Sequence, residues 1–298
     1  MGDVHWLWAA FTIIAAASQT ARNAMQRELI VTLGTLGATH VRFLFGFPFA
    51  LVLLAGVLVF TGMPLPRPGL AFWPWVFAGT VTQILATALM LAAMGERSFV
   101  VAIAYIKTEP VQVAVFGFLV LGDALTLPMV IAILVATAGV IIMSFKPRGG
   151  AKADALPTLL GLGSGAMFAL AAVTYRGGIL SLEGTPFVMA ATFTLAAGLA
   201  LTAGLLSLYL ALRDRALLAA ILRAWRPSLF AGAMGALASE FWFLAFALAT
   251  AASVRTLALV EVLFAQAVAY YSFKQPVSGR ELSGIALIVV GVALLVTV

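Results

Sequence analysis

Cysteine is absent from the 298 residues, which excludes disulfides, thiolate nucleophiles and cysteine-ligated metal. Histidine is almost as scarce: with His5 and His40 alone, a histidine-built metal centre is not expected, and no metal or cofactor is called for. Asp, Glu, Lys and Arg make up only 9% of the chain, against about 25% in an ordinary soluble domain. No stretch of the form G-x-x-x-x-G-K-[ST] occurs, so direct ATP drive through a phosphate-cradling loop is not expected. What abounds is apolar side chain, 63% of the sequence, more than a soluble core absorbs, and the expected solvent is lipid. A net charge of +6 with a pI near 10.1 would invite nucleic acid in a soluble protein. Here the cations fall between apolar runs, where they set orientation, and nucleic acid is set aside as a partner.

Apolar runs long enough to cross a bilayer as helices cover 6–22, 37–60, 72–94, 98–121, 127–145, 156–175, 186–210, 228–249, 252–273 and 281–297, ten spans in all. Pro, Gly and charge cluster between them at Gly62 to Gly69, Gly122-Asp123, Lys146 to Asp154, Arg213 to Pro227 and Lys274 to Arg280. Few of these breaks are long enough to fold alone, so a single membrane domain over 1–298 is expected, with no soluble module to carry an enzyme activity. The opening Met1 to Trp6 lacks the basic region and cleavage site of a secretory signal, and the first span is expected to be retained. Arg22, Arg27, Arg97, Lys146, Arg148, Lys152, Arg213, Arg215, Arg223, Arg226, Lys274 and Arg280 follow the odd-numbered spans, against Arg67 and Arg176 on the other side. The positive-inside rule then puts both termini outside.

The second half echoes the first at an offset of about 150 to 154 residues. Thr20 and Arg22 fall on Thr174 and Arg176, Phe77-Ala78-Gly79 on Phe230-Ala231-Gly232, Glu109 on Glu261, and Gly139 on Gly291. Repeat one is expected over 1–146, a linker over 147–155 and repeat two over 156–298. Five spans are an odd number, so two such units in series insert with opposite orientations. The expected fold is an all-α integral membrane protein of ten transmembrane helices, arranged as two inverted five-helix repeats around a central cavity.

The residues just named, with Arg42 in span 2, the Glu109-Pro110 step, Gly122-Asp123 and Gln275, give an order of elements that resembles the drug/metabolite transporter superfamily, in its ten-helix EamA-type branch. The resemblance covers nearly the whole chain through loose motifs. It implies a multi-pass protein of the bacterial inner membrane that exports small metabolites or amino acids through a cavity between its halves. That branch is usually described with both termini in the cytoplasm, the reverse of what the loop charges imply.

Ionisable groups inside a span cost about 2.5 to 3.5 kcal/mol at its centre, so each is a functional candidate. In span 4, Tyr105, Thr108, Glu109 and Gln112 stand at i, i+3, i+4 and i+7, one face of a helix, beside a bend permitted by Pro110. Lys107 lies on nearly the opposite side. Span 3 carries Thr80, Gln83 and Thr87, and span 1 carries Ser18, Gln19 and Arg22. Span 8 carries Ser239, Glu240 and Trp242, and span 9 carries Glu261 and Gln266. The plainer readings stand beside these. Thr80 and Thr87 bond their own backbone, Gln83 and Gln112 are as readily glue between helices as substrate contacts, and Arg42 is an interfacial anchor or ion-pair partner. Glu240 and Glu261 are coupling groups or else members of buried pairs with Arg42, Lys107 or Arg255. The tryptophans at span ends form an interfacial belt, Trp242 excepted, whose depth beside Glu240 suits stacking on an apolar substrate.

The resulting expectation is a secondary transporter, exporting small metabolites by alternating access. Gln19, Gln83, Tyr105, Thr108, Glu109, Gln112 and Trp242 would contact substrate, and Glu240, Glu261, Arg42 and Lys107 would serve coupling or a buried ion pair. Aromatic or other apolar amino acids are the expected substrates, lipid the surroundings, and a monomer is compatible. A non-transporting membrane binding or assembly protein is the alternative, and a membrane enzyme on lipid-linked substrates a more distant one.

Overall fold

The computed structural model describes residues 6–95, 106–144, 155–264, 266 and 278–297. Among them every regular element is helical: α1 (Leu7–Leu44), α2 (Gly46–Thr61), α3 (Phe72–Gly95), α4 (Glu109–Phe116), α5 (Leu127–Ser144), α6 (Ala155–Leu180), α7 (Phe187–Arg213), α8 (Arg215–Arg223), α9 (Trp225–Leu248), α10 (Ala251–Leu257) and α11 (Gly279–Thr297). A π-helical turn, Gly117–Leu121, extends α4, and a 3-10 turn, Ala258–Val260, extends α10. Among the described residues six stretches are long and apolar enough to cross a membrane: Leu29–Thr61, Phe72–Ala93, Leu159–Leu180, Phe187–Arg213, Trp225–Leu248 and Gly279–Thr297. Glu109–Leu121 and Leu127–Met143 are shorter apolar helices. Large apolar side chains stand exposed along them, Val52, Val59, Phe60, Phe118, Leu119 and Val290 among others, the surface a protein presents to lipid.

Two of the expected breaks take the form their glycines dictate. Gly62 ends α2 and Gly122 ends the turn after α4, both left-handed, with φ of 64° and 69°, and both return their N–H to an earlier carbonyl. The gap left between the first two expected spans, 23–36, is mostly helical. Residues 23–33, left outside the expected spans, are helical, since nothing between Asn23 and Leu33 is Gly or Pro. The interruption within that gap comes at Gly34, where φ is 66° and ψ 178°. The Arg213 to Pro227 break also holds structure: Asp214 caps α8 by accepting from the Leu217 N–H at 2.9 Å, and buried Ile221 anchors the helix.

The chain divides into two compact units, and each draws on both halves of the sequence. Unit one comprises 1–84 and 174–249. There α9 packs along α1 and the start of α2 through glycine: a Cβ at Gly232 would lie 2.5 Å from the Phe45 carbonyl carbon, and one at Gly46 would lie 3.4 Å from the Gly232 oxygen. The end of α6 meets α3 in the same way, with the Trp75 ring where a Cβ of Gly177 would point.

Unit two comprises 85–173 and 250–298. Its core joins Ala136, Val140 and Met143 of α5 to Ile288 of α11 and to Leu259. Ser278 and Glu281 form a capping box that starts α11, and Arg280 donates from Nε to the Ile142 carbonyl at 2.9 Å. The contact between α5 and α11 is reciprocal. A Cβ at Gly139 would fall 2.6 Å from the Gly284 oxygen and 2.9 Å from the Ile288 nitrogen, and one at Gly291 would fall 2.8 Å from the Ala132 oxygen and 2.6 Å from the Ala136 nitrogen. Residue numbers rise along one helix as they fall along the other, so the two run antiparallel.

Neighbouring backbone cannot rotate aside as a side chain can. Gly291→Ala is therefore expected to lower stability by about 1 to 3 kcal/mol, the range for overpacking. Gly204→Ala, with nothing within 4 Å of its Cβ position, is expected to leave stability unchanged or raise it slightly. Thermal unfolding of the purified protein in detergent separates the two; equal melting temperatures for both variants would mean that the α5–α11 approach is looser than described.

Candidate functional site

Unit one holds a small cavity of about 20 Å³, lined by Arg42, Phe43, Gln83, Tyr175, Leu195, Gly198, Leu199, Ser239 and Phe243. That is room for roughly one water, hence for one functional group rather than a whole ligand. The segments around it explain its polarity. Arg42 sits in the last turn of α1, beyond the interruption at Gly34, and is buried, 6% exposed. Gln83 comes from α3, Tyr175 from α6, Leu195 to Leu199 from α7, and Ser239 with Phe243 from consecutive turns of α9. Arg22, 1% exposed, shares a glycine neighbour with Arg42: a Cβ at Gly235 would stand 3.4 Å from the Cδ of Arg22 and 3.4 Å from the Cγ of Arg42. Glycine at 235 leaves the space through which both arginine stems pass.

Tyr175 forms one wall. Its ring lies against Gly79 and Gly198, its hydroxyl is 3.4 Å from that of Thr80, and its ring centroid is 4.8 Å from that of Phe243. Farther along α7 and α9, the Thr192 hydroxyl donates to Oε1 of buried Glu240 at 2.5 Å. Trp242 is buried, donates from Nε1 to Oε1 of Gln19 at 3.2 Å and stacks near Phe246 with centroids 6.3 Å apart. His40 is buried, with Nε2 3.0 Å from the Ser207 hydroxyl.

Unit two holds the other charged group. Lys107 Nζ lies 3.1 Å from Glu261 Oε2, and Arg255 Nε lies 3.1 Å from Glu109 Oε1, all four side chains mostly buried. The pairs are crossed: the 107–109 segment and the 255–261 segment each supply one cation and one carboxylate. Helical spacing places Lys107 opposite Glu109, yet both reach the same partner segment. Residues 107 and 108 form a turn, and α4 starts only at Glu109, with Pro110 in its first turn where a missing N–H costs nothing. Gln112 donates from Nε2 to the Thr108 hydroxyl at 3.2 Å.

The residues selected from sequence thus fall into separate groups. Gln83 and Arg42 line the unit-one cavity; Gln19, Trp242 and Glu240 belong to the same unit with partners of their own; Thr108, Glu109, Gln112, Lys107 and Glu261 belong to unit two. Tyr105 lies outside the described residues, as do Gln275 and the loop cations Arg97, Lys146, Arg148, Lys152 and Lys274. Arg22, assigned to a loop as well as to the end of span 1, is deep in α1 because that helix does not stop at residue 22. Sequence reasoning did not select Tyr175 or Thr192. Tyr175 stands between Thr174 and Arg176, both singled out by the repeat, and an aromatic hydroxyl at that point was the available signal. Among the described residues no group of His, Cys, Asp and Glu is placed to hold a metal ion.

Residues 6–145, just under half of the chain, match the model of the EamA-like transporter family. The match supports the drug/metabolite transporter superfamily and a membrane transporter of small molecules. A solved crystal structure is similar in fold, with a TM-score of 0.71 over 97% of this chain and 95% of its own, at 16% identity. No curated protein matches the chain.

Proposed function

We propose that the chain is a secondary transporter of the bacterial inner membrane, exporting small metabolites by alternating access. Amino acids with aromatic or other apolar side chains are the proposed substrates, in the manner of the aromatic amino-acid exporter YddG. The observation that carries the reading is the unit-one cavity: an arginine, a glutamine, a tyrosine and a serine, each nine-tenths or more buried, gathered inside helices whose outer surfaces are apolar. Burying such groups in a membrane is costly, and a pathway for polar substrate is the ordinary reason to keep them.

The reciprocal contact of α5 with α11 supports the inverted repeat. Ala132 and Gly284, Ala136 and Ile288, and Gly139 and Gly291 are each separated by 152 residues, the spacing of the sequence echo. When residue i meets j and the counterpart of j meets the counterpart of i, a twofold axis relates the two segments. For antiparallel helices that axis is perpendicular to them, hence in the membrane plane if both span it. Halves related in this way favour ten spans and exchange of conformations between the halves. Glu240 and Glu261 are the proposed coupling groups.

The test is flux of labelled phenylalanine, tryptophan, methionine and threonine across proteoliposomes. Saturable flux is expected, reduced about tenfold in Gln83→Leu, the cost of one substrate hydrogen bond. Glu240→Gln or Glu261→Gln is expected to flatten its pH dependence. If flux rose linearly with concentration or matched protein-free vesicles for the whole panel, amino-acid transport by this chain would be ruled out.

A further inference from the structure

We propose that α8 and its joints form a docking surface for acidic phospholipid, whose headgroup phosphate is held by Arg213, Arg215, Arg223 and Arg226 at the edge of the bilayer. The inference needs the chain to lie in a membrane and does not depend on what it transports.

Three observations carry it. The first is where α8 has to be. It stands between two helices long and apolar enough to cross a membrane, Phe187–Arg213 and Trp225–Leu248, and the joints are single residues, Asp214 and Ala224. Nine residues of helix rise about 13.5 Å, less than half of a hydrocarbon core about 30 Å thick, so α8 does not cross. Tied at both ends to spans, it cannot leave the surface either, and its height is that of the lipid headgroups.

The second is which way it faces. Leu217 and Ile221, one turn apart, rest on α1: a Cβ at Gly37 would stand 3.2 Å from Cδ1 of Leu217 and 3.8 Å from Cγ1 of Ile221. Ile221 is buried, whereas Leu222 and Trp225 are about half exposed. One stripe of α8 thus anchors it on the protein, and the opposite side, with Arg215 and Arg223, is left to the surroundings.

The third is charge. Arg213, Arg215, Arg223 and Arg226 are all exposed, and among the described residues none of them pairs with a carboxylate. Residues 213–226 hold these four arginines against one aspartate, a net charge of +3, and that aspartate, Asp214, accepts the Leu217 N–H at 2.9 Å. Two of the guanidinium groups are fixed by backbone carbonyls one turn earlier: Arg215 Nε donates to Ala211 at 2.9 Å and Arg223 Nε to Ala219 at 3.2 Å. Using Nε in this way leaves the outer Nη groups of each for a phosphate. Arg226 lies over the Trp225 ring, 5.4 Å from its centroid, and an indole of that kind belongs at the boundary of headgroup and hydrocarbon. A cationic strip held at that height, with Leu222 and Trp225 beside it for the acyl chain, suits a phosphodiester attached to hydrocarbon better than a soluble anion.

The experiment is thermal unfolding of the full chain in detergent, with added phosphatidylglycerol or phosphatidylcholine carrying the same acyl chains. Phosphatidylglycerol is expected to raise the melting temperature at a concentration roughly tenfold lower or less, and the preference is expected to weaken as salt is raised. Gln at all four arginine positions is expected to abolish the preference, and Gln at any one of them to raise the phosphatidylglycerol concentration needed by up to about fivefold. Lys at all four is expected to keep most of it. The Lys variant loses the same guanidinium bonds to backbone as the Gln variant, so the difference between them reads charge and not folding. Arg67→Gln, at an exposed cation between α2 and α3, is expected to behave as the parent chain. Equal effects of the two lipids, a preference unchanged by the four Gln substitutions, or one lost equally in the Lys and Gln variants would overturn the assignment. So would equal protection by glycerol 3-phosphate or by polyglutamate, which would make this a surface for a soluble anion or an acidic protein segment.

Discussion

Replacing Glu109 with Gln is expected to destabilise the protein by about 3 to 5 kcal/mol, and adding Arg255→Gln to that variant is expected to return most of the loss. The two side chains meet at 3.1 Å with 14% and 10% of their surfaces exposed, so water can do little for either ion left alone. Removing one partner leaves a charge without its counter-ion in a poorly solvated place, whereas removing both leaves two neutral amides that bond each other or their surroundings. The sign of the coupling therefore identifies the pair. Lys107→Met and Glu261→Gln should show the same pattern at a smaller amplitude, since Lys107 is 22% exposed and its flexible stem can swing toward water. The two pairs share two segments of chain, and breaking both should cost less than the sum of the separate losses. Equilibrium unfolding of single and double variants measures this directly. Single losses that simply add in the double variants would mean that the crossed pairs are incidental neighbours.

What could be read from sequence was what one segment shows about itself. The apolar run at 72–94 becomes Phe72–Gly95, that at 127–145 becomes Leu127–Ser144, and that at 281–297 becomes Gly279–Thr297, because length and hydropathy are local properties. Gly62 and Gly122 mark helix ends for an equally local reason, their left-handed backbone. The helix through residues 23–33 was hidden because polarity was taken to end a span, although polar residues continue a helix readily when no Gly or Pro intervenes. Arg42, beyond the interruption at Gly34, was misjudged for another reason. Counted from the start of an apolar run it lies near an interface; as the last turn of Leu7–Leu44 it is buried beside a cavity. Partners were the least legible feature. Thr192 and Glu240 are 48 residues apart, Lys107 and Glu261 are 154 apart, and Gln19 and Trp242 are 223 apart, so no helical spacing relates them. Lys107 was among the cations named for Glu261, and that pair forms; Arg255 was not matched to Glu109, because the echo relates the two carboxylates and the cations do not occupy equivalent positions in the two halves.

Tyr175→Ala is expected to cost about 3 to 5 kcal/mol, the range for emptying a well-packed aromatic site. Tyr175→Phe is expected to cost less than about 1 kcal/mol, since the hydroxyl sits 3.4 Å from that of Thr80, at the long limit of a hydrogen bond. The contrast follows from what the ring touches. Gly79 and Gly198 each face it so closely that an added Cβ would come within 2.8 and 2.9 Å of ring carbons, and Phe243 packs on it from α9. Tyr175 is thus a spacer that fixes α3, α7 and α9 around the cavity, and the absence of side chains at 79 and 198 is the complement of its bulk. From this comes a change of sign that general destabilisation does not produce. Gly198→Ala should cost about 1 to 3 kcal/mol in the parent chain, where the methyl strikes the ring. In the Tyr175→Ala background the same methyl enters vacated space and replaces a helical glycine, so it should be neutral or stabilising by up to about 1 kcal/mol. Thermal unfolding of the four proteins reads the difference. Equal costs in the two backgrounds would mean that the ring does not set the spacing of these helices.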